Sequence, residues 1–305
     1  MSLDLTGLST WTDENKLELI KKSVLKGRTA DIIKVQGGIK NAATINLLGS
    51  TLVGQAGACG FSSLGDTALT QRTITVKDIK INESICLNDL EDYYTSTMMN
   101  PGSYNENIPF EQIFAEEKAE LIQSMIEDIV WKGDTAGAGN LALADGFIKL
   151  FDGLAGTVVD GAPLVVGGMT PANAIDLIDE LVGQIPADII DADDLKIFMS
   201  YSDYRTYTKA LRDANLFHYD AKEGAEFRIF VPGVNVEVVA VRGLNGQQDI
   251  VVANASNLYL GTDLLNDSEN FKIFYSEDND EVRFIAKMKI GVEVAIPEFI
   301  VHYSA

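Results

Sequence analysis

The side chains of this 305-residue chain that could do chemistry are few and scattered. His218 and His302 are the only histidines, and neither stands in the His-Glu-x-x-His spacing that puts two imidazoles on one zinc ion. Cys59 and Cys86 are too few for a disulfide framework and have no local base to activate a thiolate, so ordinary thiols are expected. The nucleophile-elbow pattern Gly-x-Ser-x-Gly does not occur. GDTAGAG at 133–139 is not followed by Gly-Lys-Ser/Thr, and its glycines therefore predict a turn and not a phosphate loop. The acidic runs Asp188–Asp194 and Glu277–Glu281 lack the central glycine and terminal glutamate of a calcium loop and read as solvated turns. Tyr93, Tyr94, Tyr104, Tyr201, Tyr204 and Tyr207 could stack on bases, but no basic groove accompanies them; protein contact and partial cores use the same rings. The expectation is a protein that is not an enzyme and uses no cofactor or metal. The enzyme alternative is a site assembled from dispersed carboxylates.

Charge narrows the partners. Forty-five acidic and 24 basic residues give a net charge of −21, which disfavours a duplex held against a broad basic face but not its passive enclosure. Residues 1–50 differ, with seven basic against five acidic side chains, among them Lys16, Lys21 and Lys22. No apolar run is long enough to span a membrane, and the first residues do not read as a signal peptide, so no membrane partner is expected.

The elements that must position any functional surface are organised around residues 108–132. Pro109 suits a first helical position, and Phe110, Ile113, Phe114, Leu121, Met125 and Ile129 recur at helical spacing, with Ile122, Ile126 and Val130 widening the stripe until Gly133. Such a helix is a rod of about 36 Å. Ahead of it, Thr12 or Asp13 caps a short helix through Lys26, with a thin stripe of Leu17, Ile20 and Val24. Residues 44–87 read as a long antiparallel excursion interrupted by Gly54, Gly57 and Gly60, with its tip near Asp78–Asn82, and Asn88–Met99 as a short helix. An isolated two-stranded ribbon is marginal in water, so this one needs another surface to lie on.

Beyond the long helix, Ala144–Phe151 makes a short apolar segment. Thr170 and Pro171 open a helix ended by Pro186, Leu195–Met199 is an interior strand, and Ser200 or Ser202 starts a helix through Arg212. Strands follow at 227–231, 234–241, 250–253 and 258–261. The last forty residues are strand-like, at 271–275, 282–290, 292–296 and 299–303, and are expected to return onto the long helix. The pattern is an α/β module inserted into a helix-and-sheet platform.

The succession of an amino-terminal arm, an extended hairpin, RTITVKDIKINESICLNDLE at 72–91, a long helix closing in IEDIVWKGD at 126–134, ADGFIKLFDG at 144–153, LKIFMSYSDYRTYTKALRD at 195–213 and a terminal AIPEFIVHY at 295–303 resembles the major capsid proteins of tailed bacteriophages with the Hong Kong 97 fold. The resemblance covers nearly the whole chain and rests on the order of the features. It implies an α+β fold with an arm at 1–43, an extended loop at 44–87, a peripheral domain at 88–152 with its spine helix at 109–132, an inserted axial domain at 153–265 and returning strands at 266–305. It also implies copies of the chain in pentamers and hexamers forming an icosahedral shell around double-stranded DNA, with a scaffolding protein and a portal as partners, assembled in the bacterial cytoplasm. Encapsulin shells, which share the fold and enclose protein cargo, are the related alternative.

The resemblance assigns the assembly contacts to the arm and the loop. Lys16, Lys21 and Lys22 in the arm, and Lys77, Asp78, Lys80 and Asn82 in the loop, are the candidate residues. Some relatives join their loops covalently through lysine and asparagine, but no acidic catalyst is placed beside Lys77 or Lys80 by sequence, and no crosslink is assigned.

Overall fold

A computed structural model of the chain describes residues 27–54, 57, 64–86, 110–161, 167–215, 227–263, 271–276, 278–279 and 281–304. Lys16, Lys21 and Lys22 and the expected helices at 13–26 and 88–99 lie outside the described residues. The chain runs through α1 (Arg28–Ile32), β1 (Lys34–Gln36), β2 (Ala42–Thr51), β3 (Asp66–Thr75), β4 (Lys77–Cys86) and the long helix α2 (Phe110–Lys132). It continues through α3 (Phe147–Gly153), β5 (Val159–Asp160), α4 (Ala174–Gly183), β6 (Leu195–Met199), α5 (Tyr201–Asp213), β7 (Arg228–Phe230), β8 (Glu237–Ala240) and β9 (Ile250–Asn254). It ends with β10 (Leu258–Thr262), β11 (Phe271–Ser276), β12 (Glu281–Val294) and β13 (Val301–Tyr303).

Two sheets carry the fold. β12 is the long strand of the first: one edge pairs antiparallel with β10 and β11, the other with β4, and β1 flanks β10. The second is a mixed sheet in the order β5-β13-β9-β6-β8-β7. Alternation along β12 buries Val282, Phe284, Ala286, Met288 and Ile290, and it is this face that α2 covers. The buried line on α2 is Ala119, Ile122, Ile126, Ile129 and Val130. Leu121, expected in the stripe, is exposed, because one residue from Ile122 is about 100° around the helix. α4 and α5 pack on the second sheet through Leu177, Ile178, Leu181, Tyr207 and Leu211. Ser200 caps α5 by accepting from the Asp203 N–H at 3.1 Å, as its position before the apolar stripe predicts. α4 starts three residues later than Pro171 suggests, since the Asn173 side chain accepts from the backbone and hydroxyl of Thr170 and closes a turn there first.

The sheets meet at the carboxy-terminal end of α2. Trp131 is fully buried against Phe147 of α3 and Phe198 of β6, with ring centroids 5.3 Å away in each case, and its Nε1 donates to Thr29 Oγ1 at 2.8 Å. Gly243 lies flat on it, since a Cβ there would stand 2.3 Å from both the indole ring and the Glu127 carbonyl oxygen. One turn before Trp131, the buried Glu127 accepts from the Thr29 N–H at 2.6 Å and so holds α1 on α2. Burial raises the pKa of Glu127, against the lowering pull of the hydrogen bonds from Thr29 and Gly243. The chain crosses between the sheets at 255–257 and again at 295–300. Asn257 ties the crossings together, donating through Nδ2 to the Ile296 carbonyl at 2.8 Å and accepting at Oδ1 from the Ile296 N–H at 2.7 Å.

This double crossing departs from the expected division of the chain. β10, expected with the inserted module, pairs with β12 of the first sheet, and β13, expected among the returning strands, pairs with β9 and β5 of the second. Residues 77–86 also differ from the sequence reading. They are not part of the ribbon but a strand paired along its whole length with β12, because Ile79, Ile81 and Ile85 alternate onto the core under α2.

The raised pKa of Glu127 sets the sign of a stability effect. A carboxyl that binds its proton more tightly folded than unfolded contributes stability that is full below its ordinary value of 4.5 and is lost as the pH rises through the folded pKa. In urea unfolding, the stability of the wild type relative to Glu127→Gln is therefore expected to rise as the pH falls from neutral toward 4.5. A pH-independent difference would remove Glu127 as the titrating group.

Candidate assembly surface

Among the described residues, the element that buries least of itself is the ribbon of β2 and β3. The two strands pair in register from Ala42↔Thr75 to Thr51↔Asp66, ten residues each, which at about 3.4 Å per residue is a projection of about 34 Å. Among the described residues, its packing and ion-pair contacts are at the root. Ile39, Ile45, Ile74 and Val76 form a small separate core with Ala295, and the Ile39 N–H donates to the Thr262 carbonyl. Arg72 donates through Nε and Nη2 to Glu293 Oε1, at 3.1 and 2.7 Å. The root crosses the first sheet where Gly261 and Gly291 are cross-strand partners. A Cβ at Gly261 would meet Ile74 Cδ1 at 2.8 Å, and one at Gly291 would meet the Thr75 carbonyl oxygen at 2.1 Å. Two facing glycines thus make the saddle on which the ribbon lies.

Beyond the root the ribbon has no partner among the described residues of its own chain. Leu48 and Leu69 are directly paired, so both stand on one face, and they are 70% and 75% exposed. Leu52, Val53 and Leu64 extend the apolar surface past the outermost pair, Leu52 at 95% exposure. The same face carries the uncharged pairs Asn46 with Gln71, whose amides bond at 2.9 Å, and Ser50 with Thr67. Residues 42–75 contain only two charged side chains, Asp66 and Arg72, in a chain of net charge −21. This absence of charge was available in the sequence and points to Leu48, Leu52, Val53, Leu64 and Leu69, none of which periodicity singled out.

The four loop residues selected from sequence are elsewhere. Lys77, Asp78, Lys80 and Asn82 lie on β4, opposite Ile290, Lys289, Lys287 and Ile285 of β12, and Asp78 pairs with Lys289 at 3.3 Å. Asp78–Asn82 is therefore mid-strand and not a hairpin tip. Among the side chains with potential chemistry, His302 sits 3.0 Å from Asp249 and against the Phe151 ring. Burial alone would raise the Asp194 carboxyl, but hydrogen bonds from Ser256 and Asn254 overcome it and hold the pKa low. Tyr204 and Tyr207 are core residues of α5, and Cys86 is exposed. His218, Cys59, Tyr93, Tyr94 and Tyr104 lie outside the described residues. Among the described residues no helix is long and apolar enough to cross a membrane.

No protein-family model matches the sequence, and no curated protein matches it. The fold has solved counterparts. A chain of the satellite phage P4 procapsid superposes with a TM-score of 0.59 at 12% identity, over 97% of this chain and 98% of that one. The capsid of an empty GTA particle gives 0.55 at 14%, over 93% and 89%. A virus-like particle from Pyrococcus furiosus gives 0.51 at 13%, over 95% and 98%. The α+β fold resembles that of Hong Kong 97-type capsid proteins.

Two outcomes follow from the ribbon's geometry. Gly291→Ala is expected to lower stability by about 1–3 kcal/mol in denaturant titration, since the Thr75 carbonyl must move aside, while Gly153→Ala, which meets nothing within 4 Å, stays within about 1 kcal/mol of wild type. Replacing Leu48 and Leu69 by serine is expected to leave the monomer's melting temperature unchanged within a few degrees, because neither side chain is buried in the chain itself. A large loss in that double variant would place both leucines in an intramolecular core.

Proposed function

We propose that this chain is the major subunit of an icosahedral shell, assembled through hexamers and pentamers, that encloses the double-stranded DNA genome of a tailed bacteriophage. The observation that carries the reading is the nearly uncharged ribbon with its exposed leucines, which the described residues of its own chain leave uncovered. Covering Leu48 and Leu69 on another subunit supplies the burial that a two-stranded ribbon lacks alone. Its neutrality matters because every copy is acidic. Like charges brought to about 4 Å cost on the order of 1 kcal/mol even in water, and the ribbon adds almost none. The fold's likeness to the procapsid and capsid chains supports the same reading.

In this reading α2 is the spine of a peripheral domain built on the first sheet, and the second sheet with α4 and α5 is the axial domain. The ribbon spreads contact over a neighbour, so that modest affinities combine when several copies close a ring. The protein acts by assembly mechanics, without a catalytic site or cofactor. A scaffolding protein and a portal complete the particle, which forms in the host cytoplasm. The negative charge suits a wall that confines DNA without binding it. The second reading is an encapsulin-like shell around protein cargo, which the sequence also resembles; the likeness to a virus-like particle fits a shell of either kind.

Electron microscopy and light scattering of the purified protein, expressed alone and with a scaffold-like neighbour, test this. Closed particles or capsomer rings are expected from the wild type and not from the Leu48→Ser, Leu69→Ser variant. DNA within the particles distinguishes a genome capsid from a cargo shell. A compact monomer under both conditions would refute self-assembly.

A further inference from the structure

The first sheet has a second face, turned away from α2, and its charge is opposite to that of the protein. The side chains of β12 that alternate outward are Glu281, Arg283, Ile285, Lys287 and Lys289. Lys80 stands directly across from Lys287, and Lys272 directly across from Ile285, so both join the same face. Lys80, Lys272 and Lys287 are exposed and have no ion pair among the described residues. Like charges directly opposite across an antiparallel pair are destabilising, and among the described residues no carboxylate forms an ion pair with Lys80 or Lys287, the nearby Asp78 being paired with Lys289. The face adjoins the root of the ribbon, which covers Gly291 at its other end.

A complementary surface lies on the other module. Residues 176–194 contain seven carboxylates and no basic side chain. Asp194 is engaged by Ser256 and Asn254, but Asp176, Asp179, Asp188, Asp191 and Asp193 are exposed, with the exposed Ile190 among them. Within one chain no described ion pair joins the two surfaces.

We propose that the basic face of the first sheet, centred on Lys80 and Lys287, docks the acidic surface at 176–193 of a second copy of this chain. The inference rests on the self-assembly proposed above and adds a second, electrostatic contact to the ribbon. The two patches are different surfaces, so the contact is head-to-tail and closes into a ring when the rotation between copies permits. Charge complementarity of this kind fixes register and partner choice more than it adds affinity. A nucleic acid is the less favoured occupant: Asp78 and Glu281 interrupt the patch, few phosphates could be neutralised there, and the rest of the chain repels a polyanion.

Charge reversal tests the pairing. At low salt, Lys80→Glu with Lys287→Glu, and separately Asp188→Lys with Asp191→Lys, are expected to raise the critical concentration for assembly by about tenfold. Unchanged circular-dichroism melts establish that each variant is folded. Mixing the two variants in equal amounts restores assembly, because each reversed patch meets the other, and rings of even subunit number are then favoured. The wild type loses affinity as salt is raised. Variants that assemble like wild type, or a mixture that fails to recover, overturn the pairing while leaving the ribbon-based reading intact. Loss of binding to a short DNA duplex with unchanged assembly assigns the face to nucleic acid instead. A wild type that stays monomeric overturns both.

Discussion

Two chain crossings, held side by side by one amide, connect everything else in this molecule. Asn257 uses both its oxygen and its nitrogen on Ile296, so the passage from β9 to β10 and the passage from β12 to β13 are fixed to each other. Each sheet therefore contains strands from both sides of the crossing, and neither can be moved without straining the other. In the same core, Trp131 packs against Phe147 and Phe198, with the indole N–H satisfied by Thr29. A buried aromatic of this size contributes on the order of 3–5 kcal/mol through packing alone, which makes the end of α2 the mechanical centre of the fold. Gly243 has to be a glycine for the second module to approach that closely.

From this rigid centre the ribbon projects as the least self-sufficient element. Its root is over-determined by a small core, the Arg72–Glu293 ion pair and the glycine saddle, whereas its outer half rests on strand pairing alone. That combination fits a contact element: the root sets direction, and the outer half remains available for a surface supplied from outside. Exposing Leu48 and Leu69 forgoes apolar burial that the described residues of the chain do not supply.

Charge is segregated along the same chain. The ribbon is nearly neutral, the outward face of the first sheet is basic, and the segment 176–194, which includes most of α4, is acidic. A uniformly acidic surface would make every encounter between copies repulsive. Segregation leaves the net charge available for solubility while making particular approaches favourable. Glu127 obeys a different logic, as a buried carboxylate retained because it anchors α1 through Thr29.

Local physics was enough to read much of this from the chain. The three-and-four spacing of Ile122, Ile126 and Ile129 specifies α2 wherever it packs, Gly133 ends it, and Ser200 caps α5 by accepting from the Asp203 N–H. The ribbon was legible in kind but not in extent. Alternation at Ile79, Ile81 and Ile85 says that a strand has one apolar face, not which surface will cover it. The partner of β4 is β12, some two hundred residues away, and only the folded chain brings them together. For the same reason β10 and β13 could not be assigned to their sheets from order along the chain, since the exchange depends on the Asn257 crossing. The candidate surface divided likewise: the charge-poor run 42–75 was written in the sequence, while the meeting of Lys80 with Lys287 on one face was decided by strand register, which no local pattern encodes.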